Sequence, residues 1–263
     1  MSTEPRVAVV TGGSSGIGLS LCEAFAARGY HLLLVGSRSA TVAEAARRVE
    51  RAAQGGTCIG RALDVASESD MQAMADEARE RFGRIDVLVA SAGIGKKPGS
   101  ARVVPYPSAE LPLDEWQAVV DVNLTGMFLS NRAVLPVMIA QGDGAIVNVC
   151  SSTTPHGLRG TPFAPAYCAT KFGMVGFTEA LAEEVAPYGI RVQAVHPGPV
   201  ETPLVADTTL MRRFGGTISA RHFAETVVWM VEQPSDSLLV HPHVLPFVAR
   251  RRSGGTGARQ EAD

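Results

Sequence analysis

The sequence predicts an α/β protein built on one doubly wound, parallel, seven-stranded sheet, and three observations support this prediction. Short β-branched runs alternate with longer helical patterns along the chain. Apolar strands that alternate with helices form βαβ units, whose right-handed crossovers leave few other topologies. No repeat and no Pro/Gly-rich linker divides the 263 residues. We therefore expect a single domain over residues 1–250 and a disordered tail at 251–263.

The elements follow one another in a regular order. The strands are predicted at RVAVVT, HLLLVGS, RALDV, DVLVAS, AIVNVCS and RVQAVHP, each flanked by turn residues. Between them, helices are predicted over Leu19–Arg28, Ala40–Ala53, Asp70–Phe82, Leu113–Gln141 and Ala166–Tyr188. A last helix, Arg221–Glu232, and the segment SLLVHPHVL close the pattern.

Three insertions follow predicted strands, at residues 95–112, 153–165 and 200–219. In doubly wound sheets the loops beyond the carboxyl ends of the strands build the ligand site. These insertions are partly apolar, with Val103, Tyr106 and Phe163 among their residues. They predict a pocket for a small-molecule substrate of medium size and mostly apolar character.

Composition excludes several classes of function. The formal net charge is −2 and the basic residues are scattered, so we expect binding neither to nucleic acid nor to a membrane surface. The four cysteines contain no Cys-x-x-Cys pair, which indicates free thiols in a reducing compartment. The start MSTEPRVAVVTGG lacks the features of a signal peptide, and no apolar run reaches the length of a membrane span. We expect a cytoplasmic protein.

A glycine-rich turn lies between the first predicted strand and the first predicted helix. In VVTGGSSGIG, Gly12, Gly16 and Gly18 allow a tight turn and let the backbone approach a phosphate closely. The following helix N-terminus offers unpaired N–H groups to an anion. Such turns also occur as plain loops, but this position is the one that nucleotide binding requires.

Five motifs follow one another along the chain in the order TGGSSGIG, LDV, VNLTGMF, YCATK and HPGPVET. Through these motifs the chain resembles the short-chain dehydrogenase/reductase family over roughly residues 6–205. The resemblance implies a Rossmann-type fold and an enzyme that transfers hydride between a nicotinamide cofactor and a ketone or secondary alcohol. It implies no metal in that chemistry.

Carried over position by position, the resemblance also implies a set of cofactor contacts. They are Gly12, Ser14, Ser15, Gly16, Ile17 and Gly18 in the turn; Asp64 and Val65 at the adenine; and Ala92, Gly93, Tyr167, Lys171, Pro197, Gly198, Val200 and Thr202 toward the nicotinamide. Asp64 could instead cap the helix that follows it.

The residues at the end of the second strand indicate whether the cofactor is NAD or NADP. An acidic residue there accepts hydrogen bonds from the ribose hydroxyls of NAD, whereas this chain has Ser37 and Arg38. Arg38 can pair with a 2′-phosphate, although it could also be an ordinary surface arginine. We expect NADP(H), with NAD(H) possible.

The same resemblance implies four catalytic residues. Tyr167 is the general acid in reduction or the base in oxidation. Lys171 lies one helical turn further on, where its positive charge favours the phenolate. Ser151 orients the substrate oxygen, and Asn123 holds a water that links Lys171 to solvent.

The position of the substrate-orienting hydroxyl depends on the end of the loop from which residues are counted. Counting from Asn148 at the strand end selects Ser151, whereas counting back from Tyr167 selects Thr154. We favour Ser151 because an insertion fits easily into the Pro/Gly-rich loop that follows, and Ser152 and Thr154 remain alternatives.

Other readings of the whole chain stay open. A nucleotide-binding protein without catalysis could regulate or assemble, and relatives of the same fold act as epimerases or dehydratases. Helices Leu113–Gln141 and Ala166–Tyr188 commonly form dimer contacts in the family, so we expect a homodimer or homotetramer. His241 and His243 could share a metal, but no third ligand is evident and a strand end is the simpler interpretation.

Overall fold

The computed structural model describes residues 5–100, 106–152, 164–204 and 216–247. Parts of all three predicted substrate loops lie outside the described residues, at 101–105, 153–163 and 205–215. The predicted tail, 251–263, and the alternative hydroxyl of Thr154 lie outside them as well.

The predicted parallel sheet is confirmed. Its seven strands stand in the order β3-β2-β1-β4-β5-β6-β7, and every neighbouring pair is parallel. The strands are β1 Val7–Thr11, β2 His31–Gly36, β3 Cys58–Ala62, β4 Val87–Ala90, β5 Gly144–Val149, β6 Ile190–Pro197 and β7 His243–Val244. The chain thus winds outward from β1 to β3 and then crosses back to β4.

Helices cover both faces of the sheet. They are α1 Gly16–Ala26, α2 Ser39–Ala52, α3 Glu68–Phe82, α4 Leu113–Val120, α5 Gly126–Gln141, α6 Pro165–Val185 and α7 Ala220–Val231. Phe25, Val42 and Phe223 show that α1, α2 and α7 share one buried cluster with the sheet. Met71, Val134 and Leu181 place α3, α5 and α6 in the cluster on the opposite face. This arrangement is the doubly wound, single-domain fold.

Three predicted segments differ in extent from the elements observed. The third strand is Cys58–Ala62 rather than RALDV, and Gly60 within it lets the side chain of Val42 pack closely, because a Cβ there would lie 2.8 Å from Val42 Cγ1. The segment SLLVHPHVL contains only a two-residue strand, His243–Val244. The predicted helix Leu113–Gln141 is interrupted by a π-helical turn over Asp121–Thr125, which hydrophobic periodicity does not reveal.

A buried carboxylate fixes the crossing from β1 to β4. Asp86 is 1% exposed, and its Oδ2 accepts a hydrogen bond from the Val7 N–H at 2.7 Å. Arg84 donates to the same carboxylate, with Nη2 lying 2.6 Å from Oδ1. A buried charge is costly unless it is paired and hydrogen-bonded. The Asp86 carboxylate therefore favours the pairing of β1 with β4 that provides it with both partners.

The stretch Leu113–Gln141 corrects the expectation that no apolar run is long enough to span a membrane. Its 29 residues pass that test by length and composition alone. Half of its most apolar window is buried inside the fold (50%), as in a core helix of the α/β layer. Burial against the sheet therefore accounts for the apolar composition.

Candidate active site

The predicted site residues converge at the carboxyl ends of the central strands. The glycine turn follows β1, and Ser91 and Ala92 follow the neighbouring β4. A Cβ added at Gly12 would lie 2.8 Å from the Ala92 Cα, so the two segments touch along their backbones. This is the crevice at which ligands bind in doubly wound sheets, because the strand order reverses there.

The turn tolerates no added side chain at its closest point. A Cβ at Gly18 would lie only 2.2 Å from the carbonyl oxygen of Gly12. Gly12 and Gly16 have φ values of 68° and 54°, in the left-handed region that glycine adopts without strain. The loop therefore folds tightly onto the start of α1.

The N-terminus of α1 is open to an anion. The residues around it show whether a dinucleotide would fit there. Ser15 occupies the N-cap position, but its side chain makes no capping hydrogen bond. The first turn carries no acidic residue that would repel a phosphate. Ile17 and Ser14 are half-buried beside this start, and Thr202 lies across it, 3.2 Å from a Cβ added at Gly16. A close-set glycine turn with free N–H groups fits a pyrophosphate.

The end of β2 lies next to this turn. A Cβ at Gly36 would come within 2.5 Å of the Ser14 hydroxyl, so Gly36 permits the close approach. Ser37 and Arg38 follow at the surface, and Arg38 occupies the N-cap position of α2. The guanidinium of Arg38 therefore starts from the strand end where the adenosine ribose of a bound dinucleotide would lie.

The segment after β3 decides between the two interpretations of Asp64, as a cofactor contact or as the cap of the next helix. Asp64 does not cap α3, because Ser67 is the N-cap and its hydroxyl accepts the Asp70 N–H at 3.2 Å. Asp64 instead accepts the Ala66 N–H at 2.9 Å and stays exposed. Val65 is buried, and its Cγ2 lies 2.7 Å from a Cβ added at Gly126, the first residue of α5.

Tyr167, Ser151 and Lys171 come together where α6 crosses the end of β5. The Tyr167 hydroxyl and the Ser151 side chain are hydrogen-bonded to each other. Lys171 is 5% exposed, and its Nζ donates to the Val149 carbonyl at 2.9 Å. The same Nζ lies 5.6 Å from the centre of the Tyr167 ring. One hydroxyl, one phenol and one buried amine thus share a small volume.

Burial dominates the proton affinities of this group. It raises the pKa of Tyr167 above its usual value, and the hydrogen bond from Ser151 acts in the opposite direction. Burial also lowers the pKa of Lys171 to about 8, because desolvation disfavours its charged form. Desolvation is thus the largest influence on the pKa of the phenol, and the expected effect of the Lys171 charge on the phenolate stays a prediction.

Asn123 is fully buried in the π-helical turn between α4 and α5. Its Oδ1 accepts the Ile94 N–H at 2.7 Å, and its Nδ2 donates to the Ile94 carbonyl at 2.9 Å and to Thr170 at 3.3 Å. A Cβ at Gly93 would lie 3.4 Å from Asn123 Oδ1 and 3.9 Å from Lys171 Nζ. The amide therefore joins the loop after β4 to the helix that carries the tyrosine.

The loop after β6 closes the other side of the crevice. The Pro197 carbonyl accepts the Ser152 N–H at 2.9 Å, and the Gly198 N–H donates to the Val244 carbonyl at 2.8 Å. Val200 is buried and forms an isolated bridge with Ile218. Ser152 itself is only 4% exposed, and the structure records the Tyr167 hydrogen bond at Ser151.

Sequence reasoning missed a buried polar network that orients α5 and α6 on β5. Asn131 Nδ2 donates to Asn148 Oδ1 at 2.9 Å, and Asn148 Nδ2 donates to the Thr178 hydroxyl at 3.0 Å. Polar residues at positions that should be apolar were the available signal, since buried amides need partners. Thr170, inside the YCATK motif, and His196, before Pro197, were missed in the same way.

The cysteines and possible metal ligands add no chemistry here. Cys22, Cys58, Cys150 and Cys168 are all free thiols. Burial raises the pKa of Cys150 to about 11, which opposes a nucleophilic thiolate beside Ser151. Within the described ranges, no group of three or more His, Cys, Asp or Glu side chains could hold a metal ion.

The fold and this set of residues define a dinucleotide-binding oxidoreductase, and comparisons with known proteins identify its family. The family model for the short-chain dehydrogenases matches residues 6–213. An uncharacterised oxidoreductase of Staphylococcus saprophyticus is 34% identical, with 88% of this chain and 93% of the relative covered. A 3-oxoacyl-[acyl-carrier-protein] reductase of a Synechocystis strain is 38% identical, with 76% of each covered.

Solved structures agree with these relatives. The 3-ketoacyl-(acyl-carrier-protein) reductase of Brucella melitensis, complexed with NADH, superposes with a TM-score of 0.81 at 29% identity, covering 93% of this chain and 98% of that one. A variant of actinorhodin polyketide ketoreductase with NADPH gives a TM-score of 0.79 at 30% identity, with the same coverage. The chain belongs to the short-chain dehydrogenase family, and it is an NAD(P)-dependent oxidoreductase.

Proposed function

We propose that this protein reduces a ketone of medium size and mostly apolar character, with NADPH as the preferred cofactor. The observation that carries the proposal is the hydrogen bond between Ser151 and Tyr167 with the Lys171 amine beside their pair. Relatives named as ketoacyl reductases support a ketone substrate. We further propose that one domain spans residues 1–250, with its substrate loops at 95–112, 153–165 and 200–219.

The chain's own residues divide the work in this reaction. When bound, the dinucleotide supplies the hydride from its nicotinamide ring. Ser151 donates a hydrogen bond that holds and polarises the substrate oxygen. Tyr167 gives its proton to that oxygen, and the charge on Lys171 stabilises the phenolate that remains.

The proton affinities favour reduction near neutral pH. Because burial raises the pKa of Tyr167, the phenol stays protonated and ready to donate. Lys171, with a pKa of about 8, keeps its charge in the same range. Asn123 holds the Ile94 segment against Thr170, next to the amine, and we propose that it supports the proton path from Lys171 to solvent.

The preference for NADPH rests on the end of β2. Gly36, Ser37 and Arg38 present no carboxylate that would repel a 2′-phosphate, and Arg38 is exposed beside the turn. A guanidinium can bind phosphate through two parallel hydrogen bonds.

A substrate panel tests the proposal directly. Purified protein should oxidise NADPH when mixed with cyclic or aryl ketones, and Ser151→Ala should lower kcat by roughly a hundredfold. Thr154→Ala serves as the matched control and should keep most activity. Loss of activity in Thr154→Ala with an active Ser151→Ala would reassign the hydroxyl. No turnover with any carbonyl would favour a protein that binds the nucleotide without catalysis.

We also propose that the protein forms a homodimer or homotetramer through α5 and α6. Phe128 and Phe172 on these helices are 38% and 37% exposed, and Ile139 on α5 is 38% exposed. Static light scattering should report a mass at least twice 27.6 kDa at micromolar concentration. A monomer under those conditions would contradict the proposal.

A further inference from the structure

The buried polar network between β5 and the two helices above it consists of Asn131 on α5, Asn148 on β5 and Thr178 on α6. Asn131 and Asn148 are fully buried, and Thr178 is 2% exposed. The two amides exchange a pair of hydrogen bonds, with Asn131 Nδ2 lying 2.9 Å from Asn148 Oδ1 and Asn148 Nδ2 lying 3.3 Å from Asn131 Oδ1. Asn148 Nδ2 also donates to the Thr178 hydroxyl at 3.0 Å. Side chains therefore join all three elements inside the protein.

Two backbone carbonyls fix the direction of every hydrogen bond in this network. Asn131 Nδ2 also donates to the Met127 carbonyl at 2.9 Å. The Thr178 hydroxyl donates to the Met174 carbonyl at 2.6 Å. Because a carbonyl only accepts, Asn131 has one amide orientation, and the Thr178 oxygen is left to accept from Asn148. Every donor thus has an acceptor, and a displacement of α6 along β5 would leave a buried N–H unpaired.

The network adjoins the catalytic groups along both elements that carry them. On β5, Asn148 directly precedes Val149, whose carbonyl accepts from Lys171 Nζ at 2.9 Å. On α6, Lys171 and Thr178 are about two turns apart and lie on one face of the helix. That face is therefore hydrogen-bonded at two levels to neighbouring residues of the same strand.

Apolar packing beneath this part of α6 consists mostly of small or flexible side chains. The buried cluster there contains Ala90, Met127, Cys150, Met174, Val175 and Ala194. The helix also carries Gly173, where an added Cβ would lie 3.2 Å from Leu124, and Gly176, where it would meet nothing within 4 Å. Small side chains interdigitate little, so shape alone determines the position of the helix weakly. The hydrogen bonds of the network supply the missing constraint.

We propose that the buried polar network positions the active site, because it holds α6 at the level of β5 at which Tyr167 meets Ser151. Asn131 and Thr178 are positioning residues, since they act through the helices that they hold. A misplacement of about 1 Å can cost on the order of a hundredfold in rate. The effect on turnover rests on the proposed function, whereas the placement of α6 does not.

Thr178→Val removes the hydroxyl and keeps the shape, since both side chains are β-branched. An Asn148 N–H then lacks its acceptor, and a shift of α6 relieves the unpaired group. We expect kcat for ketone reduction to fall by roughly tenfold with little change in KM. With NADPH that carries deuterium at the transferred position, the isotope effect on kcat should rise, because hydride transfer becomes the slow step. Thr178→Ser restores the hydroxyl and should recover most of the rate.

Val185→Ala, near the C-terminal end of the same helix, is the matched control. Val185 is 1% exposed and packs in the cluster shared by α3, α5 and α6. Its truncation should lower the melting temperature to a similar extent as Thr178→Val. At temperatures well below both transitions, kcat and the isotope effect of the control should equal those of the unsubstituted protein. Equal losses of kcat in the two variants, or no recovery in Thr178→Ser, would contradict positioning by the network.

Asn131→Ala provides a second test from the α5 side, and it decides the matter if Thr178→Val does not fold. The truncation leaves a space in which water can bind the exposed end of Asn148. Because the hydrogen bond from Asn148 to Thr178 remains, kcat should fall by a smaller factor of about threefold, again with little change in KM. A kcat equal to that of the unsubstituted protein would overturn the role of the network.

Nuclear magnetic resonance tests the placement of Tyr167 without any substrate. The full-length chain has four tyrosines, so ¹³Cζ-labelled tyrosine gives few resonances, and Tyr167→Phe identifies the one from the active site. That resonance should move in Thr178→Val, return in Thr178→Ser and stay in place in Val185→Ala. An unchanged resonance in Thr178→Val would overturn the proposal. If the unsubstituted protein reduces no ketone, the proposed function fails, while this measurement still decides on the network.

Discussion

The two halves of the crevice are built on opposite principles. The turn between β1 and α1 is shaped by missing atoms: a Cβ at Gly18 would come within 2.2 Å of the Gly12 oxygen. The half formed by β5 and α6 is shaped by atoms that are present, with Ser151, Tyr167 and Lys171 held by hydrogen bonds. We therefore expect the first half to lose function when a side-chain atom is added to a glycine. We expect the second half to lose function when a polar group is removed.

Removing one oxygen from the β5–α6 half should give the largest effect. In Tyr167→Phe, kcat should fall by at least about a thousandfold, because no other group donates the proton. Dissociation constants for NADPH, measured by fluorescence titration, should change little since the ring remains. Substantial turnover by this variant would show that the proton comes from elsewhere.

Adding one carbon to the glycine half should have the next largest effect. Gly18→Ala forces the turn open, and the dissociation constant for NADPH should rise by more than about tenfold, with a lower melting temperature. Gly176→Ala on α6 is the matched control, since a Cβ there meets nothing within 4 Å. That control should be neutral or slightly stabilising. Similar losses in both variants would argue against the steric explanation.

The cofactor preference tests the outer edge of the glycine half, where Arg38 follows β2. Arg38→Ala should lower kcat/KM for NADPH by about tenfold and leave the value for NADH unchanged, because only the former loses a charged hydrogen bond. Arg47→Ala, also exposed and on α2, is the control. A wild-type protein that prefers NADH would overturn the assignment of Arg38.

The smallest expected effect is the pH dependence of the β5–α6 half. Lys171 loses its charge as pH rises through about 8, so the phenolate formed during reduction is less stabilised above that pH. Reductive kcat should therefore fall severalfold for each pH unit above about 8, while oxidation of the alcohol should rise because it starts from the phenolate. Initial rates in both directions measure this, and a reductive rate that climbs with pH would contradict it.

The alternation of apolar strands with helices predicted the sheet, and motif position and spacing predicted the glycine turn and the Tyr167–Lys171 pair, because each depends on local sequence. These patterns did not predict the π-helical turn that carries Asn123, because the run Leu113–Gln141 is apolar enough that an extra residue in one turn leaves no visible break in its periodicity. The contact of His196 with His241 joins residues 45 apart, and no local pattern encodes it. The balance of burial against charge at Tyr167 likewise depends on the folded environment.

The crossing that creates the crevice also has a consequence for folding. The Val7 N–H donates its hydrogen bond to Asp86, 79 residues further along the chain, so β1 cannot acquire this neighbour until the start of β4 has been synthesised. Contacts between such distant residues close large loops and form slowly. Until then the edge of β1 that pairs with β4 has no partner strand, and the nucleotide crevice between the two strands cannot form.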